Sequence, residues 1–178
     1  MRVRGESKLE APGGYSNAAD DTKLSLGLLM ATHDWLWADQ EKLTFLPECG
    51  LWREQGRVLF VADLHLGKAE VFQAHGIPLP SDGDQGTLNP LLDLCHQQQP
   101  NRLVVLGDLI HARIGLTPFL RQTLRALPDL CGCEVILIGG NHDAGSWLEG
   151  LPQHASQRLG SLWLSHIPER VPEPGLLN

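Results

Sequence analysis

The sequence predicts an α/β fold with a mainly parallel sheet. Three short apolar runs alternate with segments of helical character, and each run stops at a glycine or a carboxylate. The runs are Arg57–Ala62, Leu103–Leu106 and Glu134–Ile138. Runs that are apolar almost throughout are typical of strands buried on both faces, as parallel strands are. Strands that alternate with helices at this spacing predict right-handed βαβ crossovers.

Composition limits the classes of function. A chain of 178 residues suits one domain with a substantial core. The formal net charge of -7 argues against a protein that binds nucleic acid through a broad basic surface. A phosphodiester substrate stays open, because bound divalent cations reverse the local sign of a site rich in Asp and His.

The cysteines and the hydropathy pattern indicate an intracellular protein. The four cysteines lack the spacing of zinc or thioredoxin motifs, so reduced thiols are expected. No apolar run approaches the ~18 residues that span a bilayer, and no segment has the pattern of a signal peptide. A cytoplasmic location and no membrane partner are therefore expected.

The N-terminal third of the chain divides into a tail and a hairpin. Residues 1–29 are rich in glycine, polar and charged residues, which predicts a poorly ordered tail. If translation starts further downstream, this tail is not part of the native protein. A single domain is expected over residues 30–178. Within it, apolar residues alternate on both sides of a polar break between His33 and Leu46, which predicts a β-hairpin at the sheet edge. Residues 47–56 are expected to form a loop.

Helices are predicted between the buried strands and after them. Residues 76–86 are loop-like, and a helix is expected from there to about Gln98, with Pro90 either in its first turn or at a kink. Thr117 precedes a proline and predicts a helix start, with the helix continuing to Pro128. Ser146 predicts the cap of a short helix through Glu149. Ser161–Leu164 is the last predicted strand.

Oxygen and imidazole donors follow the ends of the predicted strands. They are Asp63, His65, Asp108, Asn141, His142 and His166. In open α/β sheets, ligands bind at the carboxyl ends of the strands. This donor set suits Mn²⁺, Fe²⁺, Zn²⁺ or Mg²⁺. A single Asp after a strand usually forms a turn, and a single His is usually a packed or exposed side chain. The prediction of a metal site therefore depends on the repetition of such donors after successive strands.

The donors can be divided between two ions. Asp63 and His65 can reach one ion, and Asp108 can bridge to a second ion that Asn141 and His166 also reach. Two ions about 3.5–4 Å apart stabilise the attacking and leaving oxygens of an in-line displacement at phosphorus.

Three motifs of the chain resemble those of the calcineurin-like metallophosphoesterases. They are Asp63-Leu64-His65, Gly107-Asp108-Leu109-Ile110-His111 and Gly140-Asn141-His142-Asp143. Three further segments resemble the ligase-associated DNA damage response endonucleases of that superfamily. They are Val61–Lys68, Gly76–Pro80 and Leu164–His166. The resemblance covers about residues 33–178.

The resemblance implies a fold and a metal centre. The fold would be a β-sandwich flanked by helices, with αββα layers, incomplete at the C-terminus. Asp63, His65 and a bridging Asp108 would hold one divalent ion, and Asp108, Asn141 and His166 would hold the other. Mn²⁺ is the ion expected first, with Fe²⁺, Zn²⁺ or Mg²⁺ as alternatives. A hydroxide that bridges the two ions would be the nucleophile.

The resemblance also implies catalytic roles and a substrate. His142 would stabilise the phosphoryl transition state or protonate the leaving oxygen, and Asp143 would orient His142. Lys68, His111 and Arg113 are candidates for contact with phosphate, although a solvent-exposed charge is the more common role for Lys68 and Arg113, and an exposed loop position is equally common for His111. The substrate would be a phosphodiester bond in nucleic acid, in DNA repair, with a DNA ligase or helicase as partners. The oligomeric state is not indicated.

The sequence departs from the superfamily pattern at its end. The superfamily carries a final Gly-His-x-His motif that completes both metal shells, and this sequence contains none. We therefore expect a chain truncated before that motif, with weakened metal sites. Two other hypotheses stay open. One is a hydrolase of nucleotide or lipid-linked pyrophosphates, although those relatives tend to carry Arg at the position of His142. The other is an inactive remnant or a binding module.

Overall fold

A computed structural model of the protein describes residues 33–36, 41–80, 83–144, 148 and 150–168, with the backbone alone for 33–36. These residues belong to one compact unit, Thr32–Asn178. The expected tail at residues 1–29 and most of the helix expected after Ser146 lie outside the described residues. Within the described ranges, no helix combines the length and the apolar character needed to cross a bilayer.

Seven strands of the described residues form the central sheet, and their order in the sheet follows the chain. They are β1 (His33–Leu36), β2 (Lys42–Phe45), β3 (Leu51–Arg53), β4 (Val58–Val61), β5 (Arg102–Leu106), β6 (Glu134–Ile138) and β7 (Gln153–His154). The pairs from β1 to β4 are antiparallel, and the pairs from β4 to β7 are parallel. The predicted parallel strands therefore form one half of a mixed sheet.

The edge of the sheet confirms one prediction and corrects another. The hairpin of β1 and β2 pairs His33 with Phe45 and Leu36 with Lys42. The expected loop at 47–56 contains β3, which joins the hairpin to β4. Three residues are too few for a visible alternation, so a strand of this length gives no signal in the sequence.

In the described part of the chain, three helices and one short 3₁₀ turn accompany the sheet. They are α1 (Lys68–Ala74), α2 (Gly83–Gln98), the 3₁₀ turn Arg113–Gly115 and α3 (Pro118–Cys131). Thr117 caps α3, since its side chain accepts a hydrogen bond from the Leu120 amide at 3.1 Å. The sequence prediction missed α1, which begins after Gly67 without a side-chain cap.

Two prolines lie inside helices rather than at their ends. Because α2 begins at Gly83, Pro90 is an interior residue and not part of the first turn. The predicted end of α3 at Pro128 is wrong, because the helix continues to Cys131. Burial of Leu127 and Cys131 holds this last turn in place, and Gly132 closes it in the left-handed conformation. Apolar burial thus outweighs the backbone hydrogen bond that proline removes.

The strands of the parallel half are buried on both faces, as predicted. On one face, Leu59, Leu103 and Leu137 join residues of α2 and α3 in the larger apolar cluster. On the other face, Phe60 and Val104 join a smaller cluster. The alternation of side chains along each strand produces both clusters from one apolar run.

A second sheet covers the smaller cluster. It contains β8 (Ser156–Leu159) and β9 (Leu162–Ser165), which pair antiparallel. Leu164 of β9 packs into the smaller cluster, to which none of the described helices contributes. The last predicted strand, Ser161–Leu164, is displaced by one residue to Leu162–Ser165 and belongs to this second sheet, in agreement with the β-sandwich that the family resemblance implies. The described part of the protein shows a helix layer and two sheet layers.

Candidate metal centre

The loops after β4 and β5 run side by side at the carboxyl edge of the sheet. The His65 amide donates to the Asp108 carbonyl at 2.9 Å, and the Leu66 amide donates to the Leu109 carbonyl at 2.9 Å. In return, the His111 amide donates to the Leu66 carbonyl at 2.8 Å. Backbone pairing therefore continues beyond the strands and fixes His65 relative to Asp108.

Three non-glycine residues of these loops have left-handed backbone conformations. The φ angles are 55° at Asp63, 47° at His65 and 52° at Asp108. Each such residue costs of the order of 1–3 kcal/mol, and such residues cluster at functional sites. The pairing of the two loops holds all three in place, and all three are sequence-predicted metal ligands.

The Asp108 carboxylate is the centre of the site. It is 5% exposed, so it is shielded from the solvent that would otherwise solvate its charge. Its Oδ1 atom accepts a hydrogen bond from the His142 amide at 3.0 Å. Its Oδ2 atom faces the Nε2 atoms of His166, His142 and His65, at 3.6, 3.9 and 4.0 Å. These distances exceed a hydrogen bond but leave room for a cation between each pair.

His166 presents a lone pair to the same space. Its Nδ1 atom lies 3.0 Å from the Leu106 carbonyl oxygen, so Nδ1 carries the hydrogen and donates it. In the neutral ring, Nε2 then holds a lone pair, and it faces Asn141 Oδ1 at 3.2 Å as well as Asp108 Oδ2. With Nε2 unprotonated, these three electron-rich atoms repel one another, and either a metal ion between them or a proton on Nε2 removes the repulsion.

His142 is oriented by a backbone carbonyl. Its Nδ1 atom lies 2.6 Å from the His111 oxygen, which makes Nδ1 the donor and turns Nε2 towards Asp108. The geometry differs from the expected contact with Asp143. The Asp143 carboxylate accepts from the Ile110 amide at 3.1 Å and from the Gly140 amide at 2.9 Å. Asp143 thus joins the loops after β5 and β6, and acts on His142 only through the backbone.

The imidazole rings of His65, His111 and His142 lie close to one another in the site. The ring centroids of His65 and His142 are 4.8 Å apart, and His111 lies 5.4 Å from His65 and 5.3 Å from His142. Phe72 of α1 stacks on the outer face of His111 at 6.1 Å. Burial, followed by the nearby His142 and His65, lowers the pKa of His111. The Nδ1 atoms of His65 and His111 are buried and have no hydrogen-bond partner in the described structure.

Two glycines permit these close approaches. A Cβ atom at Gly107 would lie 2.0 Å from His166 Nδ1, and one at Gly140 would lie 2.1 Å from Asp108 Oδ1. Both glycines precede predicted ligands in the sequence motifs. No other residue leaves room for the imidazole and the carboxylate at these two positions.

The donors form two groups that meet at Asp108. Ligand atoms of Asp63, Asp108 and His166 lie within 4.8 Å of one another, and those of His65, His111 and His142 form a second such group. Carboxylate oxygens and imidazole nitrogens suit borderline-to-hard divalent ions, so the residues fit the implied metals. His111 belongs to the second group, although the sequence indicated only a contact with phosphate.

The remaining candidates lie at the rim. Lys68 is the first residue of α1 and is exposed, and Arg113 is exposed in the 3₁₀ turn. No sequence motif pointed to Phe72 or to Asp84, whose carboxylate accepts hydrogen bonds from the Gly67 amide at 2.8 and 3.0 Å. Burial raises the pKa of Asp84. Only the fold brings Phe72 and Asp84 next to the metal-ligand loops.

Comparison with known proteins assigns a family to this arrangement. Residues 56–171 match the calcineurin-like phosphoesterase family, and this range includes every predicted ligand. The chain belongs to this family. It is therefore a hydrolase that acts on ester bonds, and its family uses divalent metals. No curated protein matches the chain.

A solved structure shares the fold. The nuclease MPE of Pseudomonas putida superposes with a TM-score of 0.62 at 25% sequence identity, covering 78% of this chain and 67% of the nuclease chain. The mixed sheet with its helices therefore matches a metallophosphoesterase fold, as the sequence motifs predicted.

Proposed function

We propose that this calcineurin-like phosphoesterase is a phosphodiesterase that cleaves nucleic acid with two divalent ions, Mn²⁺ first among them. One observation carries the proposal. The lone pairs of His166 Nε2, Asn141 Oδ1 and Asp108 Oδ2 converge on one space. The similarity to a nuclease supports nucleic acid as the substrate class.

Asp108 is the residue that both ions would share. Its carboxylate belongs to the group that contains Asp63 and His166, and its Oδ2 atom lies 4.0 Å from Nε2 of His65, a member of the other group. When bound, the ions would neutralise charge on the phosphoryl oxygens and acidify the attacking water. The chain contributes the positions of the donors, which the paired loops hold in place before any ion arrives.

His142 is the residue that would manage a proton. Because Nδ1 donates to the His111 carbonyl, only Nε2 is available to the reaction, and it faces the metal centre. A protonated Nε2 can donate to a phosphoryl oxygen or to the leaving oxygen. His142 is 37% exposed at its side chain, so a substrate can reach it.

A role in DNA repair, with a ligase or helicase nearby, is the biological setting that we propose. Its support is the likeness of Val61–Lys68, Gly76–Pro80 and Leu164–His166 to the ligase-associated endonucleases. Pull-down of ligase and helicase candidates with the purified protein tests this part separately from the chemistry.

Hydrolysis of bis-p-nitrophenyl phosphate tests the proposed chemistry. We expect Mn²⁺-dependent release of p-nitrophenol, and a loss of at least about 100-fold in Asp108→Ala, because the shared ligand is gone. The matched control is Asp129→Ala, which removes an exposed carboxylate of α3 and should leave the rate unchanged. Activity that survives in Asp108→Ala contradicts the mechanism.

Calorimetric titration with Mn²⁺ examines binding without turnover. Wild type and Asp129→Ala should bind up to two ions, and Asp108→Ala should bind neither ion tightly. Absence of binding by the wild-type chain would favour an inactive remnant.

A substrate panel that pairs bis-p-nitrophenyl phosphate with nucleoside diphosphate esters separates phosphodiesterase from pyrophosphatase activity.

A further inference from the structure

A pocket of about 450 Å³ opens beside the metal centre, between α1, the loop after it and the start of α2. Its lining includes Asp63 and His65 of the metal centre, together with Leu79, Pro80 and Thr87. This volume falls in the range of about 300–1,000 Å³ that is usual for small-molecule sites. The pocket therefore extends the metal centre in one direction, with space for a substituent of the phosphate.

The walls of the pocket are held by hydrogen bonds. Gln73 Nε2 donates to the Leu79 carbonyl at 2.6 Å, and the Ile77 amide donates to the Phe72 carbonyl at 2.9 Å. These contacts tie the loop to α1. The Asp84 carboxylate ties the start of α2 to the Gly67 amide. The pocket is thus built before a substrate binds.

The chemistry of the lining favours an uncharged, partly apolar group. Leu64, Ala69, Leu79 and Pro80 supply the apolar walls. The Asp84 carboxylate, held by the Gly67 amide, adds a negative charge to the lining and would repel a second phosphate in the pocket. Among the described lining residues, Lys68 carries a positive charge.

We propose that this pocket holds one nucleoside of the substrate, with its base packed on Leu79 and Pro80 and the scissile phosphate beside Lys68. The inference rests on the proposed function and adds a specificity site to it. Thr87 places a hydroxyl group in the same pocket for a hydrogen bond to the sugar or the base. A phosphodiester that lacks a nucleoside would leave these contacts unmade.

A pair of esters with one leaving group tests the subsite. In p-nitrophenyl thymidine phosphate, assayed as its 5′ and 3′ isomers, the phosphate carries a nucleoside; in methyl p-nitrophenyl phosphate it carries a methyl group. With Mn²⁺, wild type should prefer at least one thymidine ester in kcat/KM by about 10-fold or more. Leu79→Asp should lose most of this preference, and Leu79→Ala part of it. Leu130→Asp is the matched control, because Leu130 is 42% exposed on α3 and Leu79 is 38% exposed. Its preference should equal that of wild type.

Failure of this inference can be told from failure of the proposed function. Hydrolysis of both esters with no preference overturns the subsite and leaves the phosphodiesterase intact. If neither ester is hydrolysed, calorimetric binding of thymidine 5′-(methyl phosphate) with Mg²⁺ decides. Binding by wild type and Leu130→Asp that is lost in Leu79→Asp supports the subsite, and equal binding by all three, or no binding, overturns it.

Discussion

At the scale of single residues, the space around Asp108 depends on the absence of a side chain at Gly107. This glycine has a φ of 84°, and a Cβ atom there would meet the His166 ring. Gly132 offers a matched comparison, because it also has a left-handed conformation, with a φ of 65°, but open space around the Cβ position. Comparing alanine substitutions at these two glycines therefore distinguishes the effect of backbone strain from the effect of displacing the ligand His166.

Gly107→Ala should displace His166 and weaken Mn²⁺ binding by at least about 10-fold, since the loss of even indirect support of a ligand costs that much. Gly132→Ala should lower the free energy of unfolding by about 1–2 kcal/mol and leave Mn²⁺ affinity unchanged. Denaturant unfolding and calorimetry measure the two effects. Equal Mn²⁺ affinity in wild type and Gly107→Ala would contradict the account.

The residues that donate to metals could be predicted, but their mutual contacts could not. A strand that ends in Gly107-Asp108 places a carboxylate at the sheet edge whatever the details of packing. The partner of His142 is a different case. A main-chain carbonyl at His111 orients it, and main-chain contacts between distant loops have no residue signature. The contact with His111 left no trace in the sequence, so the family resemblance led us to expect that the neighbouring Asp143 carboxylate orients His142.

At the scale of elements, an ion pair fastens the antiparallel half of the sheet to the second sheet. Arg53 of β3 donates to both oxygens of Glu41, through Nε at 2.5 Å and Nη2 at 2.9 Å. The Ser161 amide, in the turn between β8 and β9, donates to the same carboxylate at 3.1 Å. The hydrogen bond from Arg53 lowers the pKa of Glu41 to about 2, although burial acts in the opposite direction.

This ion pair predicts an acid-sensitive fold. The pKa of Glu41 is lower in the folded state than its ordinary 4.5, so the stabilisation is complete above about pH 4.5 and is lost as the pH falls towards 2. Glu41→Gln should cost about 3 kcal/mol at pH 7, because a buried Arg53 is left without its counter-ion. The difference from wild type should shrink below pH 4.5.

A second glutamate supplies the control for that experiment. Glu134 pairs with Arg102 at 2.7 Å, but its side chain is 49% exposed. Glu134→Gln should therefore cost no more than about 1 kcal/mol. Urea unfolding at several pH values measures both variants. A Glu41→Gln penalty that is the same at pH 3 and pH 7 would contradict the assigned ion pair.

Elements were predicted where they are long, where they are buried on both faces, or where apolar and polar residues alternate, as in the hairpin of β1 and β2. The strands β4, β5 and β6 have apolar runs that no exposed segment would carry. The helix α1 has seven residues and no capping side chain, and β3 has three residues. Pro90 and Pro128 act locally as breakers, yet the core residues around them keep both helices continuous. Tertiary packing stabilises these elements, and the local sequence pattern does not reveal that packing.

At the scale of the whole molecule, the two apolar clusters meet at the strands that carry the metal ligands. The α/β class and the parallel half of the sheet followed from the sequence. The second sheet that contains β9 was implied only by the family resemblance, because alternation along a strand identifies its buried face but not the strand that pairs with it. His166 nevertheless reaches the metal centre from this second sheet. Metal binding should therefore link the two sheets.

We expect Mn²⁺ to raise the thermal unfolding temperature of the wild-type protein. Ions that bind only the folded chain stabilise it by about 2.7 kcal/mol at 100 times their dissociation constant. Asp108→Ala should unfold at one temperature with or without Mn²⁺, and a chelator should abolish the shift in wild type. Differential scanning calorimetry measures the shift. An equal rise in unfolding temperature for wild type and Asp108→Ala would show that the ions bind at a site that does not include Asp108.

The location of bound Mn²⁺ tests the central claim most directly. Crystals grown with Mn²⁺ give anomalous difference maps in which each ion appears as a peak. The account predicts two peaks about 3.5–4 Å apart, both within ligand distance of Asp108 and one of them next to His166 and Asn141. Density without a peak at Asp108, or peaks only at other residues, would contradict it.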